Sequence, residues 1–348
     1  MKQRCEEIDL YKAILCILVV FGHSLTQSMR ENLIISDIFY ILYSFHMPVF
    51  FTLSGIIYNK YGKKYTIREF LRRKAVKLLV PYVSVTILFF FIINIAYFIL
   101  NKFLNYNIEF FNFKSIFIGI FFGKNDFAKH LWFLYALFII EIITKILDKY
   151  INKNLVITLF ISFIFSFVSY RYTESNLLLI ARVLYYNFYF QLGNIVFKNI
   201  FSKRKYKKYK TKNIIIISII FLLNNIVLLT FRKINMINEY NKWFFSLISS
   251  VSMFLIILVI INYIINLSSI TLLLKKIYQY SFEIYLFHNP FITIGSVSIM
   301  SRLLNIDYFA ILFGVLMGLI IPIIISKNII KRNKLINLVL TGEYRLKE

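Results

Sequence analysis

The sequence predicts an all-α, polytopic membrane bundle of about ten transmembrane helices with both termini cytoplasmic. Three observations carry this expectation. The 348 residues are 59% hydrophobic with a mean hydropathy of +0.71, whereas soluble domains are about 45–50% apolar. Apolar runs of about 20 residues, the length that crosses a bilayer, recur along the chain. The formal charge of +25, from 41 Lys and Arg against 16 Asp and Glu, is gathered in short segments between those runs. In a soluble chain such an excess points to nucleic acid, but nothing in this pattern folds outside a membrane, so no nucleic-acid partner is expected.

Taken in order, spans are expected near 8–27, 37–58, 78–100, 131–149, 155–171, 177–197, 213–231, 243–265, 278–300 and 307–326. Residues 101–129, "NKFLNYNIEFFNFKSIFIGIFFGKNDFAK", are apolar only in part and are expected to form a loop with an interfacial or re-entrant helix. Segments 59–77, 198–212 and 327–348 hold eight, eight and six Lys plus Arg. With the rest of their face they outnumber the opposite face about three to one, so theirs is the expected cytoplasmic side. The opposite face holds Arg30, Lys102, Lys114, Lys124, Lys129, Arg171, Arg232, Lys233, Lys242 and Arg302. No long linker interrupts the pattern, and residues 1–348 read as one integral domain of a multi-pass protein in a bacterial plasma (inner) membrane. The first apolar run lacks a small-residue cleavage site and reads as a permanent span. Cys5 and Cys16 lie roughly 16 Å apart on one helix and cannot bridge each other.

The polar residues inside the spans carry the functional signal. Lys12 and His23 are eleven residues apart, three turns plus about 20°, so they share one face of the first helix and are separated by roughly 16 Å. Asp9, three residues before Lys12, can neutralise it. Histidine is scarce: His23, His46, His130 and His288 all fall in or at the ends of spans, where an imidazole is costly unless it meets a cavity or a partner. Pro48 frees a backbone carbonyl near His46, and Ser54-Gly55 suits a close helix contact. In the ninth span Ser281, Tyr285 and His288 share a face, while Glu283 enters the membrane and needs a partner. Two further embedded charges are Glu141, expected to pair with Lys145 at i+4, and Arg182, a site candidate that otherwise pairs with Glu283 or a helix end to hold the bundle together. His46-x-Pro48 and His288-x-Pro290 suggest paired helix breaks around one cavity. The histidines lack zinc-motif spacing, so no metal is expected.

At these residues the chain resembles acyltransferase family 3, integral membrane O-acyltransferases, and within it the fucose 4-O-acetylase-like group. "DLYKAILCILVVFGHS" matches the family's basic residue, ten residues, then histidine. "FHMPVFFTLSG", the basic run into "LLVPY", "HLWFLYALF", "YFQLG" and "SFEIYLFH" follow in family order, from residue 8 to about 290. One departure is that Lys74 and Lys77 stand where the family commonly has two arginines, which keeps the charge but loses the bidentate fork.

The resemblance implies transfer of an acyl group, most often acetyl from acetyl-CoA, to a sugar hydroxyl of a lipid-linked or cell-surface glycan. His23 and His46 are then the candidate catalytic residues, His23 as general base or as the carrier of an acyl-imidazole. Lys12, Arg73, Lys74 and Lys77 are the candidate donor-binding residues. Arg182, Glu283, Tyr285 and His288 are candidates for substrate or oxyanion contacts. The expected partners are an acyl-CoA donor used as a substrate rather than a resident cofactor, a glycan acceptor, the lipid bilayer and glycan-assembly proteins. The rival reading is a transporter or flippase for a glycan or small solute, since embedded His, Glu and Arg also mark substrate pathways.

Overall fold

The computed structural model describes residues 6–105, 107–150, 155–173, 178–196 and 211–343, and among them every regular element is a helix. In chain order these are α1 (Glu6–Ser24), α2 (Leu33–Ile57), α3 (Ile67–Lys74), α4 (Val80–Leu104), α5 (Phe113–Phe122), α6 (Trp132–Tyr150), α7 (Leu155–Tyr170) and α8 (Leu178–Val196). They continue with α9 (Thr211–Lys233), α10 (Glu239–Ile264), α11 (Ser268–Gln279), α12 (Ser281–Phe287), α13 (Thr293–Leu304), α14 (Asp307–Ile325) and α15 (Lys334–Thr341). Cys5, most of the basic segment 198–212 and residues 344–348 lie outside the described residues.

Six stretches among the described residues are long and apolar enough to cross a membrane: 33–62, 67–103, 129–149, 214–233, 239–264 and 307–330. The other four expected spans fall on α1, whose first turn is acidic; on α7, which has 16 residues; on the polar-studded α8; and on α12 with α13, which are separated by a break. Residues 266–277, expected as a connection between spans, instead fall largely in α11, whose Leu274 and Ile277 are buried in the same apolar cluster as Leu10, Leu15 and Cys16 of α1. The partly apolar stretch after α4 does fold back as a short helix. In α5, Gly119 offers its carbonyl to the Tyr82 hydroxyl of α4, and Asn125 just beyond donates to Thr86 Oγ1 at 2.9 Å.

Two glycines set the closest approach in the bundle. A Cβ on Gly55 of α2 would collide with the Phe190 carbonyl of α8, and one on Gly193 of α8 would collide with the Thr52 carbonyl of α2. The "FTLSG" and "YFQLG" motifs are thus two halves of one backbone-to-backbone seam, of the kind small residues allow in membranes. Because the obstructing atoms are backbone, the helices themselves must separate to admit a methyl group. Gly193→Ala is therefore expected to lower stability by about 1–3 kcal/mol or more, read as earlier unfolding in detergent or loss of membrane accumulation.

Pro48 does not break α2, which runs through it. A proline cannot bond the carbonyl four residues back, and that orphan, Ser44 O, is taken instead by Ser246 Oγ at 2.6 Å and Ser250 Oγ at 3.3 Å from α10. The expected pair of breaks is realised only at the second proline, where Asn289 is extended (φ −128, ψ 148) and the chain leaves the helix between α12 and α13.

Candidate active site

Three histidines from distant parts of the sequence come together. His23 occupies the last turn of α1. His130 lies in a single 3-10 turn just before α6, at the end of a loop pinned by Asn125, whose Oδ1 accepts the Ala128 amide at 2.9 Å. His288 sits where α12 ends and the backbone breaks. Their ring centroids form a triangle with sides of 5.1 Å (His23–His288), 5.3 Å (His130–His288) and 6.3 Å (His23–His130).

Backbone contacts fix the protonation pattern of two of these rings. His130 Nε2 lies 3.1 Å from the Leu286 carbonyl, and His288 Nδ1 lies 2.8 and 2.9 Å from the Ile284 and Tyr285 carbonyls. A carbonyl only accepts, so each of these nitrogens carries a proton, and in the neutral ring the other nitrogen keeps a lone pair. Those other nitrogens, His130 Nδ1 and His288 Nε2, are buried and have no hydrogen-bond partner among the described residues. The Tyr285 hydroxyl donates to the His130 carbonyl, so α12 and the start of α6 are tied together in both directions.

The triangle borders a cavity of about 800 Å³ that His23, His46, His130, Arg182 and Tyr285 all line. His46 Nδ1 donates to the Leu42 carbonyl at 2.9 Å, and its ring packs edge-on against Tyr43 at 4.6 Å. The Arg182 guanidinium lies over the Trp132 ring, 4.6 Å from its centroid. Among the described residues no group of three or more His, Cys, Asp or Glu side chains is arranged to hold a metal ion.

The sequence profile of a family described as an acyltransferase domain matches residues 6–327. The chain belongs to acyltransferase family 3. No curated protein and no solved structure matches it. All the cavity residues of this acyltransferase named above fall within the matched range, and α15 lies beyond it.

Of the candidate site residues of the acyltransferase, His23, His46, Arg182, Tyr285 and His288 are brought together, and His130 joins them. His130 is the residue that motif reading left without a role, although its burial at a span end and the rarity of histidine both pointed to it. The remaining candidates sit elsewhere. Lys12 Nζ lies 5.5 Å above the Tyr278 ring of α11, and Arg73 lies over Tyr65 at 4.4 Å. Lys77 binds Glu343 at 2.9 Å and the Thr341 carbonyl at 3.3 Å. Glu283, 4% exposed, is held by Lys331 at 2.8 Å and by Ser326 Oγ at 3.1 Å.

Two expected pairings are corrected. Glu141 pairs with Lys74 at 2.6 Å rather than with Lys145. Lys145 lies one turn along the same helix, but its ammonium reaches the carbonyls of Lys63 at 2.9 Å and Gly62 at 3.4 Å, which the wide turn after α2 leaves open. The alternative Arg182–Glu283 pair is likewise replaced, since Glu283 is paired with Lys331 while Arg182 is on the cavity wall.

Proposed function

We propose that this acyltransferase transfers a short acyl group, acetyl from acetyl-CoA, to a sugar hydroxyl of a cell-surface or lipid-linked glycan. The observation that carries the reading is the convergence of His23, His130 and His288 beside a cavity walled by aromatic and polar side chains, in a chain of an acyltransferase family. The cavity is large enough for a sugar unit, and Trp132, Tyr185 and Tyr186 are among its lining residues.

In this mechanism neutral His23 takes the proton from the attacking sugar hydroxyl. The hydroxyl oxygen forms a bond to the thioester carbonyl carbon, the carbon–sulfur bond breaks, and the departing CoA thiolate recovers the proton from the His23 imidazolium. The products are a sugar ester and free CoA thiol. His288, the nearer neighbour, has a lone pair to accept the remaining N–H of His23 and so to orient its base nitrogen, the task a carboxylate performs in other triads. The oxyanion needs donors. The Tyr285 hydroxyl and the Nδ1–H groups of His46 and His288 are spent on backbone carbonyls, so they do not serve it.

The donor's anionic nucleotide end is assigned to the basic end of the bundle, where Lys12 and Arg73 lie. Lys74 and Lys77 reach a CoA phosphate only by exchanging Glu141 and Glu343 for it, which limits what they add to donor binding.

The test is donor turnover by the purified protein in nanodiscs, with acetyl-CoA, a mixed pool of glycan acceptors and detection of free thiol. Acceptor-dependent thiol release is the expected result. Absence of both donor binding and thiol release with acetyl-CoA and other short acyl-CoA donors would overturn the reading.

A further inference from the structure

The cavity beside the histidines carries an unequal charge. Among the described residues, Lys124, Lys129, Arg182 and Lys242 line it, against one carboxylate, Asp126. Glu239 lies 3.3 Å from Lys242 and offsets part of that excess. The topology makes the imbalance informative. Lys124, Lys129 and Lys242 belong to the face expected to be poor in cations, yet they converge on one cavity with an arginine that is itself costly inside a span. Low-dielectric walls strengthen and focus the field of such a group.

Arg182 is also held in a specific way. Its guanidinium lies over the Trp132 ring, and Trp132 packs at 5.2 Å against Tyr186, which stacks in turn on Phe51 at 4.5 Å. A guanidinium is the side chain that binds carboxylate and phosphate best, through its planar fork of N–H groups. The aromatic side of the cavity thus also holds a planar cation suited to an anionic substituent.

We propose that the acceptor taken by this cavity is an acidic carbohydrate, a glycan unit bearing a carboxylate or a phosphate ester. Arg182 binds the anionic group, Lys129 and Lys124 attract it at the rim, and a hydroxyl of the same unit is presented to His23. The proposal rests on the acyltransferase reading above and narrows its acceptor class.

The chain supplies its own probe, because it has two tryptophans and only Trp132 lines the cavity. Trp243 is buried, with Nε1 donating to Ser166 Oγ at 3.1 Å, so a Trp243→Phe background isolates the cavity signal. Fluorescence of that protein in nanodiscs is titrated with methyl glucoside, methyl glucuronide, methyl glucoside 6-phosphate and CoA. The two anionic sugars are expected to act at about tenfold lower concentration than the neutral one, the effect of one charge-assisted hydrogen bond. High salt should shrink that advantage, Arg182→Gln should remove it, and Arg182→Lys should restore part of it. Lys129→Gln, on an exposed loop, should reduce it without touching the bundle. The stronger of the two anionic sugars identifies the source of the charge. Equal action by all three sugars, or no response to either anionic one, overturns the proposal. A response to CoA alone that disappears in Arg182→Gln also overturns it and makes the cavity a donor site. Thiol release is read independently, so failure here is distinguishable from failure of the acyltransferase reading.

Discussion

His23→Ala is expected to reduce thiol release from acetyl-CoA by about 10²–10⁴-fold, the range lost with a general base, while the protein still inserts and binds donor. The reason is positional. His23 lines the cavity and lies within 6.3 Å, ring to ring, of both other histidines of the triangle. His288→Ala is expected to lose about 10–100-fold, the usual effect of removing a group that orients a reacting side chain. Because orientation acts on the chemical step, that loss should fall on kcat with KM little changed. His130→Ala should disturb both activity and folding, since its buried ring ties the segment before α6 to the Leu286 carbonyl of α12. Equal and partial losses from His23→Ala and Lys12→Ala would mark His23 as a packing residue and sink the mechanism.

Lys74→Ala is expected to destabilise the protein by about 3–5 kcal/mol, because it strands a buried carboxylate. Glu141 is 2% exposed, its Oε1 is 2.6 Å from Lys74 Nζ, and its Oε2 has no hydrogen-bond partner among the described residues. The double variant Lys74→Met with Glu141→Leu removes both charges and should recover most of the loss, since an apolar pair of similar volume is commonly neutral or better. Thermal unfolding in detergent measures all three proteins. The comparison separates structure from donor binding: a residue that serves only CoA phosphates leaves stability unchanged when truncated, and its loss is not repaired by changing Glu141. Stability unaltered in Lys74→Ala would return Lys74 to the donor site.

Much of the architecture was legible because membrane physics writes it in one dimension. Twenty apolar residues with charged flanks announce a span whatever its neighbours, as in α2, α4, α9, α10 and α14. Glycine in "FTLSG" and "YFQLG" was visible as a small-residue signal, but not that the two motifs meet each other. A sequence shows that a backbone can be approached and is silent about what approaches it. α11 was missed because its apolar run, Leu272–Leu274, is cut off by Lys275 and Lys276 far short of the length of a span.

The site divides in the same way. By itself the sequence determined the class of chemistry: scarce histidines confined to the spans, a basic residue eleven positions before the first of them, and motifs in family order made an acyltransferase of a membrane chain. Only the tertiary structure decided who stands beside whom. Lys74 and Glu141 are 67 residues apart and bonded, and the Ser44 carbonyl orphaned by Pro48 finds its donors about 200 residues on in α10. His130 and His288 exchange no sequence signal, yet both orient their rings on carbonyls of α12. Local pattern records the environment a residue must satisfy, hydrocarbon or water. The identity of the partner that satisfies a buried polar atom depends on helix packing, which brings together residues no window of the sequence contains.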